Sequence, residues 1–164
     1  MVIGGTLSCA LVVIALFASS IAPYNPIRQD YGQTLRPPSR AHLMGTDNFG
    51  RDIFSRVVYG SRISLRVGVV AVLIASAIGV PLGLVAGYYG GWIDGVAMRL
   101  IDIMLAFPGI LLAFVIVAVL GSSLTNLMIA IGIGSIPGFA RLIRGSVLSA
   151  RAFSYVEAAR VAGC

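Results

Sequence analysis

The 164-residue chain contains no lysine; all twelve of its basic residues are arginines. A P-loop needs a lysine to reach the phosphates, so ATP hydrolysis by that route is excluded. Charge of either sign is scarce, at 11% of residues, and Glu157 is the single glutamate. Histidine occurs once, at His42, and cysteine twice, at Cys9 and Cys164. One histidine and two isolated cysteines supply neither metal-ligand spacing nor a disulfide framework. With no partners near it in sequence, His42 reads as an ordinary loop residue, and no catalytic set can be drawn around it.

Apolar residues fill the space that charge leaves. They make up 58% of the chain, which places it among all-α membrane proteins rather than soluble domains. The net charge of +6 does not indicate nucleic acid, because the arginines are scattered among apolar runs instead of gathered with aromatics on one face.

The charge-free intervals predict a helical bundle with four membrane spans. The first covers 1–23, and the second lies between Arg66 and Asp94. From Ile103 to Ala140 there are 38 residues without a charge. As one helix these would measure about 57 Å, against roughly 30 Å of hydrocarbon. The segment must turn back, and Gly121 to Asn126 is rich in turn formers. A fourth span then runs from about Leu124 to Ile143, with Arg141 and Arg144 snorkelling to the interface. The chain thus divides into a first span (1–23), an extramembrane loop (24–62), spans two to four (63–143) and a terminal loop (144–164). Ser20-Ile21-Ala22 resembles a signal cleavage site, but the positive flank such peptides need is missing. That missing flank also predicts a natural N-terminus longer than this one.

Within the loop, Pro23, Pro26, Pro37 and Pro38 predict extended backbone. Asp47 is placed to cap a helix beginning near Phe49 or Gly50. Ile53, Phe54, Val57 and Val58 recur at helical spacing, with Arg51, Asp52, Arg56 and Arg62 largely opposite. This pattern predicts an amphipathic helix lying in the membrane interface before the second span; a helix packed on a protein partner fits the same pattern.

The second span carries small residues every four positions: Ala71, Ala75, Gly79, Gly83, Gly87 and Gly91. In a membrane such a stripe predicts a close helix–helix seam. Pro81 inside it, together with Phe107-Pro108-Gly109 and Pro137-Gly138, predicts bendable spans. No Asp, Glu or His lies in the core of any span, which argues against proton-coupled transport. At the far end, Ser154 and Glu157 form a capping-box pattern that predicts a helix from Tyr155, and Gly163 is suited to end it.

Two motifs carry a family resemblance. One is His42-Leu43-Met44-Gly45-Thr46-Asp47-Asn48-Phe49-Gly50-Arg51-Asp52, followed by Arg62-Ile63-Ser64-Leu65. The other is Glu157-Ala158-Ala159 with Gly163 four residues on. Together they resemble the C-type permease subunits of the dipeptide, oligopeptide and nickel group of binding-protein-dependent ABC importers. The resemblance implies an ATP-driven importer of peptides or similar small solutes in the cell membrane, working by alternating access. Glu157, Ala158, Ala159 and Gly163, with Tyr155 and Val156 at the leading edge, would form a coupling helix that docks on an ATPase. Gly45, Thr46, Asp47, Gly50, Arg51 and Asp52 would form an extracytoplasmic motif. Implied partners are a second permease, ATPase subunits that bind ATP and Mg, an extracytoplasmic binding protein and the bilayer. This chain would hold no cofactor itself.

The resemblance also implies six spans with the N-terminus and the coupling loop cytoplasmic, so this chain reads as truncated. The arginine count points the other way. Seven arginines (28, 36, 40, 51, 56, 62 and 66) precede the second span and four follow the fourth, against the positive-inside tendency. The alternatives to transport are a membrane scaffold, whose stripe only holds partners together, or a truncated product without activity.

Overall fold

The computed structural model describes residues 2–163; the side chains of Val2, Ile110, Glu157, Ala159 and Arg160 lie outside the description, as does Cys164. The described residues contain seven α-helices and one 3₁₀ turn, and no named strand. They group into two compact units, Met1–Val67 and Gly68–Cys164.

In the first unit, α1 (Val2–Leu16) and α2 (Ala18–Ile21) are separated only by Phe17. The break leaves main-chain carbonyls of α1 without helical donors. Arg62 fills that need. Its Nε donates to the Ala15 carbonyl at 2.6 Å and its Nη2 to that of Leu16 at 2.9 Å. Arg62 is therefore a cap for α1, not a solvated charge on an interfacial helix.

The next helix, α3 (Ile53–Tyr89), is 37 residues long and unbroken. The expected amphipathic helix is thus no separate element but the opening turns of α3. Neither Gly60 nor Gly68 ends it, since an isolated glycine costs a helix only about 1 kcal/mol. Its start also differs from expectation. Asp52, not Asp47, stands directly before the helix and accepts a hydrogen bond from the Ser55 N–H at 2.7 Å, the geometry of an N-cap.

The second unit holds the remainder of α3 with α4 (Gly91–Ala106), α5 (Gly109–Leu120), α6 (Leu124–Arg151) and α7 (Ser154–Val161). Gly90 and Gly91, at φ +67° and +56°, turn the chain from α3 into α4. Gly91 therefore drops out of the packing stripe, and a Cβ there would meet nothing within 4 Å. Pro108 separates α4 from α5, whose axes differ by 86°. The predicted reversal falls at Gly121 to Ser123. There Ser123 caps α6 by accepting from the Asn126 N–H at 3.1 Å. Asn126 Nδ2 in turn donates to the Leu120 and Gly121 carbonyls at 2.6 and 2.9 Å.

The rest of the stripe is a seam. Ala71 and Ala75 are buried, and Gly79, Gly83 and Gly87 face α6. A Cβ on Gly83 would lie 2.5 Å from the Ala140 carbonyl oxygen, and one on Gly87 would lie 2.8 Å from Val147 Cβ. Gly132 returns the favour, since a Cβ there would lie 2.8 Å from Ile74 Cβ. Only glycine lets the two backbones approach this closely. Beside the seam, Ile101, Ile136 and Ala140 form a buried cluster with Leu82, Met98, Met104 and Ile133 packed on it. Both Pro81 and Pro137 sit inside helices that continue through them.

By length and composition, α3 and α6 can each cross a membrane, and the bent α4–α5 pair can count as one broken span or a re-entrant loop. The apolar helix before them, α1, has 15 residues.

Candidate functional site

Two places gather the residues singled out by the sequence. The first is the loop of the first unit. Gly45 and Gly50 adopt φ +74° and +70°, and a Cβ on either would collide with backbone, at the Arg36 and Asp30 carbonyl oxygens respectively. Between them, Asp47 folds the chain around its carboxylate. Oδ1 accepts from the Phe49 and Arg51 N–H groups at 2.9 and 3.0 Å. Oδ2 accepts from Arg51 Nε at 2.8 Å and Arg56 Nη1 at 2.5 Å. Desolvation pushes the Asp47 carboxyl up, but the two backbone donors and the Arg51 guanidinium outweigh it and hold the group at about 2.

Thr46 and Asp52 pair as an isolated antiparallel bridge that closes the loop. Thr46 Oγ1 accepts from the Arg36 N–H at 2.8 Å and donates to the Gln33 carbonyl. Asp52 is buried. Its Oδ1 lies 2.9 Å from His42 Nδ1, and His42 Nε2 lies 2.9 Å from Gln33 Oε1. The Tyr24 ring packs against the imidazole at 4.9 Å between centroids. Burial raises the Asp52 carboxyl, while the Ser55 N–H and hydroxyl and the His42 ring outweigh it and leave it lowered. His42 is consequently no idle loop residue but the hub joining Tyr24, Gln33 and Asp52. Only its position ten residues from an acid hinted at this. Among the described residues, no three His, Cys, Asp or Glu side chains gather to hold a metal.

The second place is the end of the second unit. After α6, Ala152 and Phe153 turn the chain into α7, which begins at Ser154 itself. Ser154 is thus the first helical residue and not the flanking cap, and the carbonyl that opens α7 is that of Phe153, accepting from the Val156 N–H at 3.0 Å. Phe153 and Tyr155 stack at 5.5 Å. Tyr155 is 68% exposed and Val161 87% exposed, and Ala158 is exposed as well. Glu157 and Ala159 belong to the helical backbone, while their side chains lie outside the described residues. Gly163 follows at φ +85°, the left-handed conformation expected of a helix terminator. The outcome is a two-turn helix with apolar and aromatic groups turned to its surroundings.

The ties that hold α6, the helix before it, were not legible in the sequence. Arg141 and Arg144, expected at the membrane interface, are each paired with an aspartate. Arg144 forms a fork on Asp94, with Nε–Oδ1 at 2.5 Å and Nη2–Oδ2 at 2.6 Å. Arg141 Nη2 reaches Asp102 Oδ1 at 2.6 Å. Arg151, the last residue of α6, donates through Nη1 to the Gly87 carbonyl at 2.8 Å. Partners 39 to 64 residues apart leave no local pattern to read.

Residues 79–164 match the model of the family described as binding-protein-dependent transport system inner membrane component. The chain is also similar to the glutathione transport system permease protein GsiD of Pectobacterium atrosepticum, at 47% identity over 99% of this chain and 54% of that protein. It is 48% identical to the dipeptide transport system permease protein DppC of Alkalihalophilus pseudofirmus, over 99% of this chain and 53% of the relative. A GsiD of Escherichia coli O1:K1 is 53% identical over 93% of this chain and 51% of its own length. The chain spans about half the length of the curated relatives it matches.

Proposed function

The chain belongs to the family of binding-protein-dependent transport system inner membrane components, and on that premise we propose that it is the pore-forming subunit of an ATP-driven importer. The relatives are permeases of glutathione and dipeptide systems, so peptides or similarly small solutes are the substrate class. ATP and Mg would be bound by separate ATPase subunits, and solute would be delivered by an extracytoplasmic binding protein to a pathway shared with a second permease.

The observation that carries this reading is α7. A short exposed helix, ended by Gly163 and joined to a membrane-length helix by two residues, is suited to seat in a groove of another protein. Its work would be to pass ATPase closure to the spans, shifting them between inward-open and outward-open states. In this reading α7 faces the cytosol and the Gly45–Asp52 loop faces outward. The arginine-rich loop fits that orientation better than counting alone allows. Arg51 and Arg56 are held by Asp47 and Arg62 by the α1 carbonyls, so these charges serve local structure.

The test is uptake coupled to hydrolysis in a full-length version assembled with its ATPases. Glu157→Ala and Gly163→Asp are each expected to leave the subunit in the membrane while ATP is hydrolysed with little solute moved. Wild-type transport per ATP in both variants would refute the docking role.

A further inference from the structure

Three arginines line the later turns of α6, and each is fixed to a different point on α3 or α4. Arg144 holds both oxygens of Asp94 in the first turn of α4. Seven residues on, two turns along the same face, Arg151 holds the Gly87 carbonyl in the last turns of α3, where main-chain oxygens lack helical donors. Arg141 reaches Asp102, eight residues beyond Asp94 on α4. Arg144 and Arg151 thereby tie one face of α6 to the corner that Gly90 and Gly91 make between α3 and α4, and Arg141 ties it further along α4.

These ties are not needed to bring α3 and α6 together. The glycine seam at Gly79, Gly83 and Gly87 already does that, with α6 backbone and Cβ atoms packed where no side chain fits. Their distinctive feature is position: Arg151 is the last residue of α6, separated from α7 by Ala152 and Phe153 alone. The end turns of a helix fray unless they are held. A load on α7 would bend an unheld end of α6 and go no further. A bidentate arginine–carboxylate pair fixes both distance and rotation, which a single point contact does not.

We infer that the Asp94–Arg144 fork and the Arg151–Gly87 contact are the rigid link by which displacement of α7 reaches the α3–α4 corner. Asp94, Arg144 and Arg151 are positioning residues in this scheme. The inference rests on the reading of α7 as the ATPase-docking helix.

The test uses the full-length permease assembled with its second permease, ATPases and binding protein in proteoliposomes. Labelled alanyl-alanine and labelled glutathione serve as probes, and solute moved per ATP hydrolysed is read for each assembled complex. Asp94→Asn, Arg144→Gln and Arg151→Ala are expected to lower that ratio about fivefold or more, while hydrolysis and the amount of complex persist. The exchange Asp94→Arg with Arg144→Asp, and the conservative Arg151→Lys, are expected to recover part of it. An unchanged ratio in the single variants overturns the inference, as does a parallel fall of complex, hydrolysis and uptake, which marks a purely structural role. Uncoupled single variants that the exchange does not rescue overturn the fork as the acting unit. Gly163→Asp separates the two levels. If it uncouples while the arginine variants do not, the link is wrong and docking stands; if it and Glu157→Ala both leave the ratio unchanged, docking itself fails.

Discussion

Asp47 and Asp52 are five residues apart and do different work. Asp47 gathers two backbone N–H groups and two arginines into a tight turn, whereas Asp52 starts α3 and holds His42. Because the Asp47 carboxyl is held at about 2, below its ordinary value, its contribution is complete above the ordinary carboxylate range. It is lost as pH falls toward 2. A carbon-13 titration should therefore place the Asp47 midpoint near 2, and a midpoint near 4 would mean that the turn is not held this way. Asp52→Ala removes a cap and strips His42 of its partner, at a cost of about 1–2 kcal/mol. Hydrogen exchange should then rise at Ser55 and through the first turn of α3, with the glycine seam unaffected. By sequence Asp47 was the expected cap of the helix that opens α3, whereas Asp52 caps it and Asp47 folds the turn before it. Both aspartates are plausible caps by type, and only the closing of the loop by the Thr46–Asp52 bridge selects between them.

At the scale of elements, small residues four apart mark a packing face. Spacing alone marked Ala71, Ala75, Gly79, Gly83 and Gly87 as one face, and the structure places the three glycines against α6. Gly91 matched the spacing yet sits past the end of α3, because periodicity does not reveal where a helix stops. The change from arginine-bearing to charge-free sequence near Arg66 suggested a boundary that the backbone does not make, since no breaker lies between Arg62 and Arg66 and α3 runs through them. Packing makes a sharp forecast here. Gly83→Val forces a side chain against the Ala140 backbone and should destabilise the second unit by about 1–3 kcal/mol or more. Gly134→Ala, where a Cβ meets nothing within 4 Å, should be neutral or stabilising by about 0.5–1 kcal/mol. Thermal unfolding in detergent compares the two; equal effects would mean that the seam is not where α3 and α6 touch.

For the whole molecule, composition and charge-free intervals were enough for an all-α membrane protein, and two motifs were enough for its family. The long-range pairs that organise the second unit were not legible. Arg141 and Arg144 look like interfacial residues in sequence, and only the fold brings Asp102 and Asp94 to them. Such pairs tie α6 to α3 and α4, and α7 follows α6 after two residues.

Cysteine crosslinking from α7 tests that view most directly. In a full-length version with Cys9 and Cys164 changed to serine, Ala158→Cys should form a crosslink to the ATPase subunit whose yield changes between nucleotide-free and ATP-bound complexes. A crosslink that never reaches the ATPase, with Ala158→Cys instead labelled by a membrane-impermeant reagent from outside the cell, would contradict the account.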